Sequence, residues 1–509
     1  MKRNHVQELR RVRSQSTIAL MLTVVFILGL PLRSSYAGSS QGLQGVRSGE
    51  RPNILFIISD DQSWAHTGAN GDRVVKTPVF DSVARSGVLF PNSFTSAPSC
   101  TPSRAAVLTG QAFSRLEEGA NLLSTLPKKF AVYPDLLEAS GYAVGFTRKG
   151  WGPGQFAPGG RTRAPAGAEF KNFDEFMKSV AEGKPLCFWF GSQDPHRPYE
   201  KGSGVASGIK LADIVVPSFL PDTPEVRSDI ADYFFEIERF DREVGALLDS
   251  LKRAGKLENT IVVITSDNGM PFPRAKTNLY DYGTRMPLAI QWLAKVKGGR
   301  VITDFVSHTD FAPTFLEAAG LKAVPAMTGR SLLPMLTGRK SGRVEGWRDK
   351  AFAGRERHDV FRNNLGYPVG YPTRAVRTDK FLYIRNFEPE RVPAGDNPAQ
   401  NQDNDRGPTK TFIVEHKDDA HVRAFYQLAY GKRPAEELYD LTSDPQQIKN
   451  VAGSAKYRAA KKRLNADLDG WMRKMKDPRA FGKGDVFDRY PIYPGGRAAP
   501  AGATFAAPR

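Results

Sequence analysis

Two stretches of this 509-residue chain limit its fold more than any other feature. Asn53-Ile54-Leu55-Phe56-Ile57-Ile58 and Thr260-Ile261-Val262-Val263-Ile264-Thr265-Ser266 each hold an unbroken apolar run, over 54–58 and 261–264. A strand with one wet face alternates polar and apolar side chains. A continuous run instead predicts a strand covered on both faces, as in a parallel sheet flanked by helices. Both runs stop at oxygen-bearing side chains: Ser59-Asp60-Asp61-Gln62 after the first, Asp267-Asn268-Gly269 after the second, with Gly269 expected to free the backbone to turn. Open α/β sheets bind ligands at the C-terminal ends of their strands. Adjacent carboxylates repel, so burying them calls for a cation, and hard oxygen donors suit calcium or magnesium. Two such ends on neighbouring strands would build one metal site; taken singly, each also fits a solvated turn.

The rest of the first 340 residues alternates β and α patterns. Helices are predicted over 79–85 and 134–140, and strands over 142–147 and 186–191. A long helix opens at Thr223-Pro224-Glu225 and runs to about Ala254, with Ile230, Phe234, Ile237, Val244, Leu248 and Leu251 forming one face against the sheet. Asp241 and Arg242 on it read as solvated. A strand over 286–292 and a helix over 309–319 follow. Beyond 340 the pattern changes: a hairpin over 374–385 turning at Thr378-Asp379, a polar surface loop over 388–411, a basic amphipathic helix over 457–475, and a Gly/Pro/Ala-rich tail over 481–509 expected to be poorly ordered.

The chemistry points to Ser99-Cys100-Thr101-Pro102-Ser103-Arg104 and the following Ala105-Ala106-Val107-Leu108-Thr109-Gly110. Pro102 suits the first helical position, and Gly110 stops the helix. Cys100 would then face the positive end of a helix, which favours an anion. These residues alone fit a structural cysteine equally well. The wording, however, resembles the signature of the type I sulfatases, Cys-x-Pro-Ser-Arg-x-x-x-Leu-Thr-Gly, and the resemblance spans most of 51–475. It implies an alkaline-phosphatase-like α/β/α sandwich with a smaller C-terminal antiparallel sheet. It also implies that Cys100 is oxidised by a maturation enzyme to formylglycine, an aldehyde that works as its hydrate. By the same resemblance Asp60, Asp61, Asp267 and Asn268 hold one divalent cation, usually calcium, with the modified Cys100 contacting the metal or its sulfate.

Further site residues come over from that family one by one. Arg148-Lys149-Gly150-Trp151 stands where the family carries Gly-Lys-x-His. Lys149 fits the lysine, while Trp151 replaces the histidine and Arg148 the glycine, which leaves the proton acceptor unassigned. His196 in Asp194-Pro195-His196 matches the proton donor to the leaving group, Lys276 the second active-site lysine, and Arg104 the residue that steadies the hydrate. Arg285 is read instead as tying its loop to the sheet. His358 is a candidate for meeting the sugar, with a turn role equally open. Phe94-Thr95-Ser96, 216–224 and Asp267-Asn268-Gly269-Met270-Pro271-Phe272-Pro273 look most like the heparan N-sulfatase branch. That implies removal of N-linked sulfate from a terminal glucosamine of heparan-type glycans. An O-sulfatase, a phosphate or phosphonate ester hydrolase of the same fold, and a non-catalytic sulfated-glycan-binding protein are the alternatives.

Charge and cysteines add constraints. Lys2, Arg3, Arg10, Arg11 and Arg13 precede an apolar run over 17–30, and Ser35-Tyr36-Ala37 offers a small-x-small cleavage site. Residues 1–37 thus read as a secretory signal and the protein as exported, with an uncleaved membrane anchor as the alternative. Residues 38–50 read as a flexible lead-in, 51–340 as the catalytic domain and 341–480 as a C-terminal subdomain. Removing the leader takes the net charge from +18 to about +13. That basicity suits a polyanionic substrate. Nucleic acid would suit it too, but no nucleic-acid motif accompanies it. Of the two cysteines, Cys187 lies in a buried-strand pattern. A Cys100–Cys187 disulfide would consume the residue to be oxidised, so the resemblance implies that none forms.

Overall fold

A computed structural model describes residues 51–358, 369–401 and 403–494. The expected leader, Asp359 and the last 15 residues lie outside them. The strands are β1 (Asn53–Ser59), β2 (Val88–Leu89), β3 (Ser93–Phe94), β4 (Ala143–Arg148) and β5 (Ala168–Glu169), then β6 (Leu186–Gly191), β7 (Thr260–Ser266) and β8 (Arg285–Met286). After them come β9 (Leu288–Gln291), β10 (Arg300–Val301), β11 (Val306–Ser307), β12 (Lys350–Arg355), β13 (Thr373–Thr378), β14 (Phe381–Asn386) and β15 (Glu436–Asp440). The main sheet has the order β10-β2-β9-β7-β1-β6-β4-β5, and β1 is flanked in parallel by β7 and β6.

The two faces of β1 show why its apolar run is continuous. Ile54, Phe56 and Ile58 pack on one side with Val107, Leu137, Phe311 and Phe315, from the helices Cys100–Thr109, Tyr133–Ala139 and Phe311–Ala318. Leu55 and Ile57 pack on the other with Phe80, Phe176, Phe240 and Val244, from Pro78–Ser86, Phe173–Ser179 and the long helix Pro224–Arg253. Period-two side chains therefore feed two cores, which is the expected α/β/α sandwich. Each fully buried residue of this kind contributes roughly 1.5–3 kcal/mol. Only the C-terminal half of the long helix meets the sheet. Val226, Ile230, Tyr233 and Phe234 pack instead on Phe219, Met270 and Phe272.

Several expectations are corrected. Residues 286–292 form two strands in different sheets, because Pro287 has no N–H to continue a ladder. Asp241 is buried rather than solvated: it accepts from Val79 N and Phe80 N at 2.9 and 2.8 Å, at the start of the helix Pro78–Ser86. Gly269 does not turn with positive φ. It is required because a Cβ there would lie 1.7 Å from the Tyr282 carbonyl oxygen. Arg285 ties its loop as expected, donating to Pro91 O at 2.7 Å.

The C-terminal sheet, β12-β13-β14-β15, is antiparallel. Val376, Tyr383 and Leu438 on one face meet Leu464, Leu468 and Met472 of the helix Arg458–Lys474; Ala375, Leu382 and Tyr439 on the other meet Leu279 and Tyr280. The hairpin strands end at Thr378 and resume at Phe381, so the turn is Asp379-Lys380, one residue later than expected. The 388–411 stretch is a surface loop only in part: Glu390, Asp396, Asn397 and Gln400 are exposed, but its second half turns inward. Asn401, Asp403 and Asn404 are buried, and Pro408 opens a helix. Of the tail, residues 481–494 are described and are packed: Phe487 and Ile492 are buried, and Asn121 donates to Phe487 O at 2.8 Å. No helix among the described residues is long and apolar enough to cross a membrane.

Candidate active site

Strand register assembles the site. Ser59 of β1 is level with Ser266 of β7, so Asp60-Asp61 and Asp267-Asn268 leave neighbouring strands side by side. On the other flank Ile58 is level with Gly191 of β6, and Gly191 with Arg148 of β4. Four adjacent strand ends thus deliver Lys149, the 192–196 loop and both acidic pairs to one place. Backbone bonds lock the row: Asp60 N donates to Asp194 O at 2.9 Å, and Lys149 N to Gly191 O at 3.0 Å. A Cβ at Gly191 would sit 1.8 Å from the Lys149 carbonyl oxygen, so that approach needs glycine.

The helix Cys100–Thr109 is wholly buried beside this row. It starts at Cys100 itself, two residues earlier than Pro102 suggested, and ends on a left-handed Gly110. Ser103 Oγ donates to Asp267 O at 2.6 Å; Arg104 donates through Nε to Asp267 at 2.8 Å and through Nη1 to Lys149 O at 2.5 Å. Cys100 Sγ lies 3.6 Å from Asp60 Oδ1. Cys100 and Cys187 are both free thiols, the second packed among core side chains of β1 and β7. The helix end does not produce a thiolate: burial, then Asp267 and Asp60, push the Cys100 pKa well up against Lys149 and Lys276.

Four carboxylates face three permanent cations. Lys149 Nζ is 2.6 and 2.8 Å from the Asp60 oxygens, and Lys276 Nζ is 2.7 Å from both Asp61 and Asp405. Burial alone would raise Asp60, but Lys149, followed by His196, Arg104 and Lys276, holds it far below the usual carboxylate range. Burial, with Asp60 and Asp405 adding to it, pushes Asp61 up to about 6 against Lys276 and His196.

This donor set fits a hard divalent cation. Asn268 Nδ2 donates to Asp61 Oδ1 at 2.6 Å, while its buried Oδ1 has no hydrogen-bond partner. An orphaned amide oxygen beside Asp60, Asp61 and Asp267 is an acceptor in want of a cation. A dication there would also turn the surplus of negative charge into a surplus of positive, as an anion-binding pocket needs.

The pocket above these residues has a volume of about 900 Å³ and is lined by Asp60, Cys100, Lys149, His196, Lys276 and His358 among others. His196 Nδ1 is 2.6 Å from Arg197 O, so it carries the proton and donates, which leaves Nε2 facing Asp61 and Asp405 at 3.8 and 3.9 Å. His358 Nδ1 lies 2.8 Å from Ser99 Oγ, one residue from Cys100. All ten residues singled out from the sequence therefore converge, His358 included.

Residues 52–321 match the family model described as sulfatase. The chain belongs to the sulfatase family. Residues 274–389 match a second model, N-sulphoglucosamine sulphohydrolase, C-terminal. The human N-sulphoglucosamine sulphohydrolase is 28% identical over 84% of this chain and 91% of its own. An ulvan-active sulfatase of Formosa agariphila is 27% identical over 86% of this chain and 78% of its own. A solved structure described as in complex with its substrate, D-glucosamine-2-N,6-O-disulfate, superposes with a TM-score of 0.61 at 20% identity, over 84% of this chain and 98% of that one. The alkaline-phosphatase-like fold and sulfatase resemblance expected from the sequence are thus borne out, and the protein is a sulfatase hydrolase.

Against the sulfatase pattern, two departures acquire a structural setting. Arg148 adopts φ of 59°, in the left-handed region where glycine is at ease. Trp151 lines the pocket, packs on the apolar core, and keeps a buried indole N–H without a partner. Among the described residues, the imidazoles that reach the pocket are His196 and His358.

Asp405 is the site residue that sequence reasoning missed. It joins Lys276 in an ion pair, and Lys276, His196 and His358 hold its pKa well down despite burial. Its neighbours fix it: Asp403 pairs with Arg355 at 2.5 Å, Asn404 donates to Lys276 O at 3.0 Å, and Lys410 donates to Asn404 O at 2.8 Å. Only the run of oxygen side chains in Asp403-Asn404-Asp405 hinted at this, and such runs are usual in exposed turns.

Proposed function

We propose that this sulfatase removes N-linked sulfate from a terminal glucosamine of heparan-type glycans, using a formylglycine made from Cys100 and one calcium ion. The observation that carries the reading is the placement of Cys100 at the helix start, 3.6 Å from Asp60 and in one pocket with Lys149, Lys276 and His196. The matched C-terminal family model and the human relative favour the N-sulfated sugar.

Asp60, Asp61, Asp267 and Asn268 would hold the cation, which when bound neutralises charge on the sulfate oxygens. Once converted to a formylglycine hydrate, position 100 would offer one hydroxyl to attack sulfur and a second hydroxyl to let the sulfate go. Lys149 and Lys276 draw the sulfate oxygens into line as fixed positive charges. Arg104, whose buried Nη2 has no hydrogen-bond partner and lies 3.7 Å from Asp60, steadies position 100. His196, in its doubly protonated form with Nδ1–H kept on Arg197 O, would protonate the departing nitrogen through Nε2. With Trp151 unable to accept a proton, His358 is the imidazole placed beside Ser99 to take one from position 100. Its place in the pocket wall also lets it meet the sugar. Residues 51–340 carry this chemistry and 341–480 complete the pocket wall. An oxidising maturation enzyme and an exporting leader over 1–37 belong to the same reading.

A second reading, desulfation of a different polysaccharide, is favoured by the ulvan-active relative at nearly equal identity. The deciding experiment pairs the mass of the peptide containing Cys100 with rates on N-sulfoglucosamine, glucosamine 6-O-sulfate, an aryl sulfate and an aryl phosphate. The expected result is a Cys100 peptide lighter than its thiol form, and N-sulfoglucosamine turned over at least about tenfold faster than the others. A preference for the O-sulfate or the phosphate ester overturns the N-sulfate assignment. An unmodified thiol in material that only binds sulfated glycan overturns catalysis.

A further inference from the structure

A second cavity of about 260 Å³ shares no lining residue with the active-site pocket. It lies between 305–310, 347–352 and the C-terminal end of the helix Arg458–Lys474, and its walls combine Trp347 and Trp471 with the cations of Arg330, Arg348, Lys350 and Lys474, which outnumber the carboxylates of Asp310 and Asp349. Trp347 is 55% exposed, which is uncommon for so large an apolar side chain. Arg330 and Arg348 stand 4.8 and 4.5 Å from its ring centroid. Arg348 is turned inward to Asp310 and Glu345. Arg330 is exposed and pairs with no carboxylate among the described residues, so its N–H donors stay available at the rim. Trp471 stacks flat on Phe352, with centroids 4.8 Å apart.

The helix extends this cationic lining. Arg463, Asp467, Trp471 and Lys474 fall on successive turns of one face. Both acids of the helix are already engaged, Asp467 with Lys350 at 3.0 Å and Asp469 with Arg385 at 2.7 Å. Arg463 and Lys474 are exposed and, among the described residues, pair with no carboxylate. A solvated basic face would need no groove and no aromatic floor. Indole rings set among guanidinium and ammonium groups suit a polymer that alternates apolar sugar faces with pendant anions.

We propose that this groove is an ancillary binding site for a sulfated polysaccharide chain. The proposal rests on the reading above that such a polymer carries the sulfate to be removed. Binding there would retain the polymer while its terminal sugar is processed at the pocket.

The test titrates the full-length enzyme with a fluorescent heparan sulfate oligosaccharide. It compares the wild type with Trp347→Ala and with an Arg330→Ser, Lys474→Ser double variant, all at exposed positions outside the catalytic pocket. Affinity should fall about threefold for Trp347→Ala and about tenfold for the double variant, with the differences shrinking at high salt. Hydrolysis of monosaccharide N-sulfoglucosamine should not change. Equal affinity in all three proteins overturns the proposal. So does single-stranded DNA of matching charge that binds as tightly and loses as much, or a wild-type dimer that the variants dissociate. If oligosaccharide binding falls as expected while the monosaccharide is not hydrolysed, the groove stands and the N-sulfatase reading fails.

Discussion

Asp60 and Asp405 both enter the same pocket and both pair with a lysine, Asp60 with Lys149 and Asp405 with Lys276, yet different forces put them there. Asp60 follows the last residue of a central strand, and its height is set by a backbone ladder in which Ser59 lies level with Ser266. Asp405 belongs to no sheet. It is held by side chains: Arg355 on Asp403, Asn404 on the Lys276 carbonyl, Lys410 on the Asn404 carbonyl. A ladder is shared by many residues and survives the loss of any one side chain. A set of buried charge clamps is not, since removing one partner strands the other. The floor of the site is therefore held by the backbone, and the wall is the part that substitution can retune.

The sharpest way to break this contrast is to change one acid on each side. Asp267→Asn, on the floor, removes a proposed metal ligand and the buried partner of Arg104. We expect kcat/KM to fall by about 10³-fold or more, and calcium, measured by elemental analysis, to drop well below one per chain. A variant that keeps its activity would remove Asp267 from the metal site. Asp405→Asn, on the wall, leaves Lys276 paired with Asp61. Its expected signature is a KM raised about tenfold, with kcat within a few-fold and the calcium content unchanged. Loss of kcat or of calcium on that substitution would erase the distinction between floor and wall.

The same contrast decides what could be read from the sequence. The runs ending in Asp60-Asp61 and Asp267-Asn268 announce buried strands because only two-sided burial tolerates continuous apolar character, and the sandwich built on them is as expected. Cys100, Arg104, Lys149 and His196 lie close to strand ends or a helix start, and the resemblance to sulfatase motifs, more than local pattern, is what singles them out. Asp405 was out of reach. The 388–411 segment has the composition of a solvated loop, and its burial depends on Arg355, Lys276 and Lys410, at separations of up to 129 residues along the chain. Asp241 was misjudged for a related reason. A carboxylate on a helix looks solvated until the free N–H groups of another helix are seen beside it.

The smallest expected effect is a pH dependence confined to the floor. His66 and His308 are buried behind it, His66 with Nδ1 3.1 Å from Tyr233 Oη and its ring against Tyr282, His308 with Nε2 3.3 Å from Thr265 Oγ1 of β7. Burial pushes the His66 pKa down from 6.5 to about 4, with Asp72 opposing, and that of His308 to about 3. Both are therefore neutral in the native state, whereas the unfolded chain takes up protons at each below 6.5. A depressed native pKa means that stability is intact above 6.5 and is lost as pH falls towards 4 for His66 and 3 for His308. The slope is at most about 1.4 kcal/mol per pH unit for each group. Denaturant midpoints recorded at stepwise lower pH should fall in this window, and His66→Gln should flatten the upper part of the fall. Because both imidazoles touch the elements behind β1 and β7, amide exchange on acidification should rise there before it rises in β13 and β14. The opposite order would mean that the C-terminal sheet, and not the strands backed by the two imidazoles, gives way first in acid.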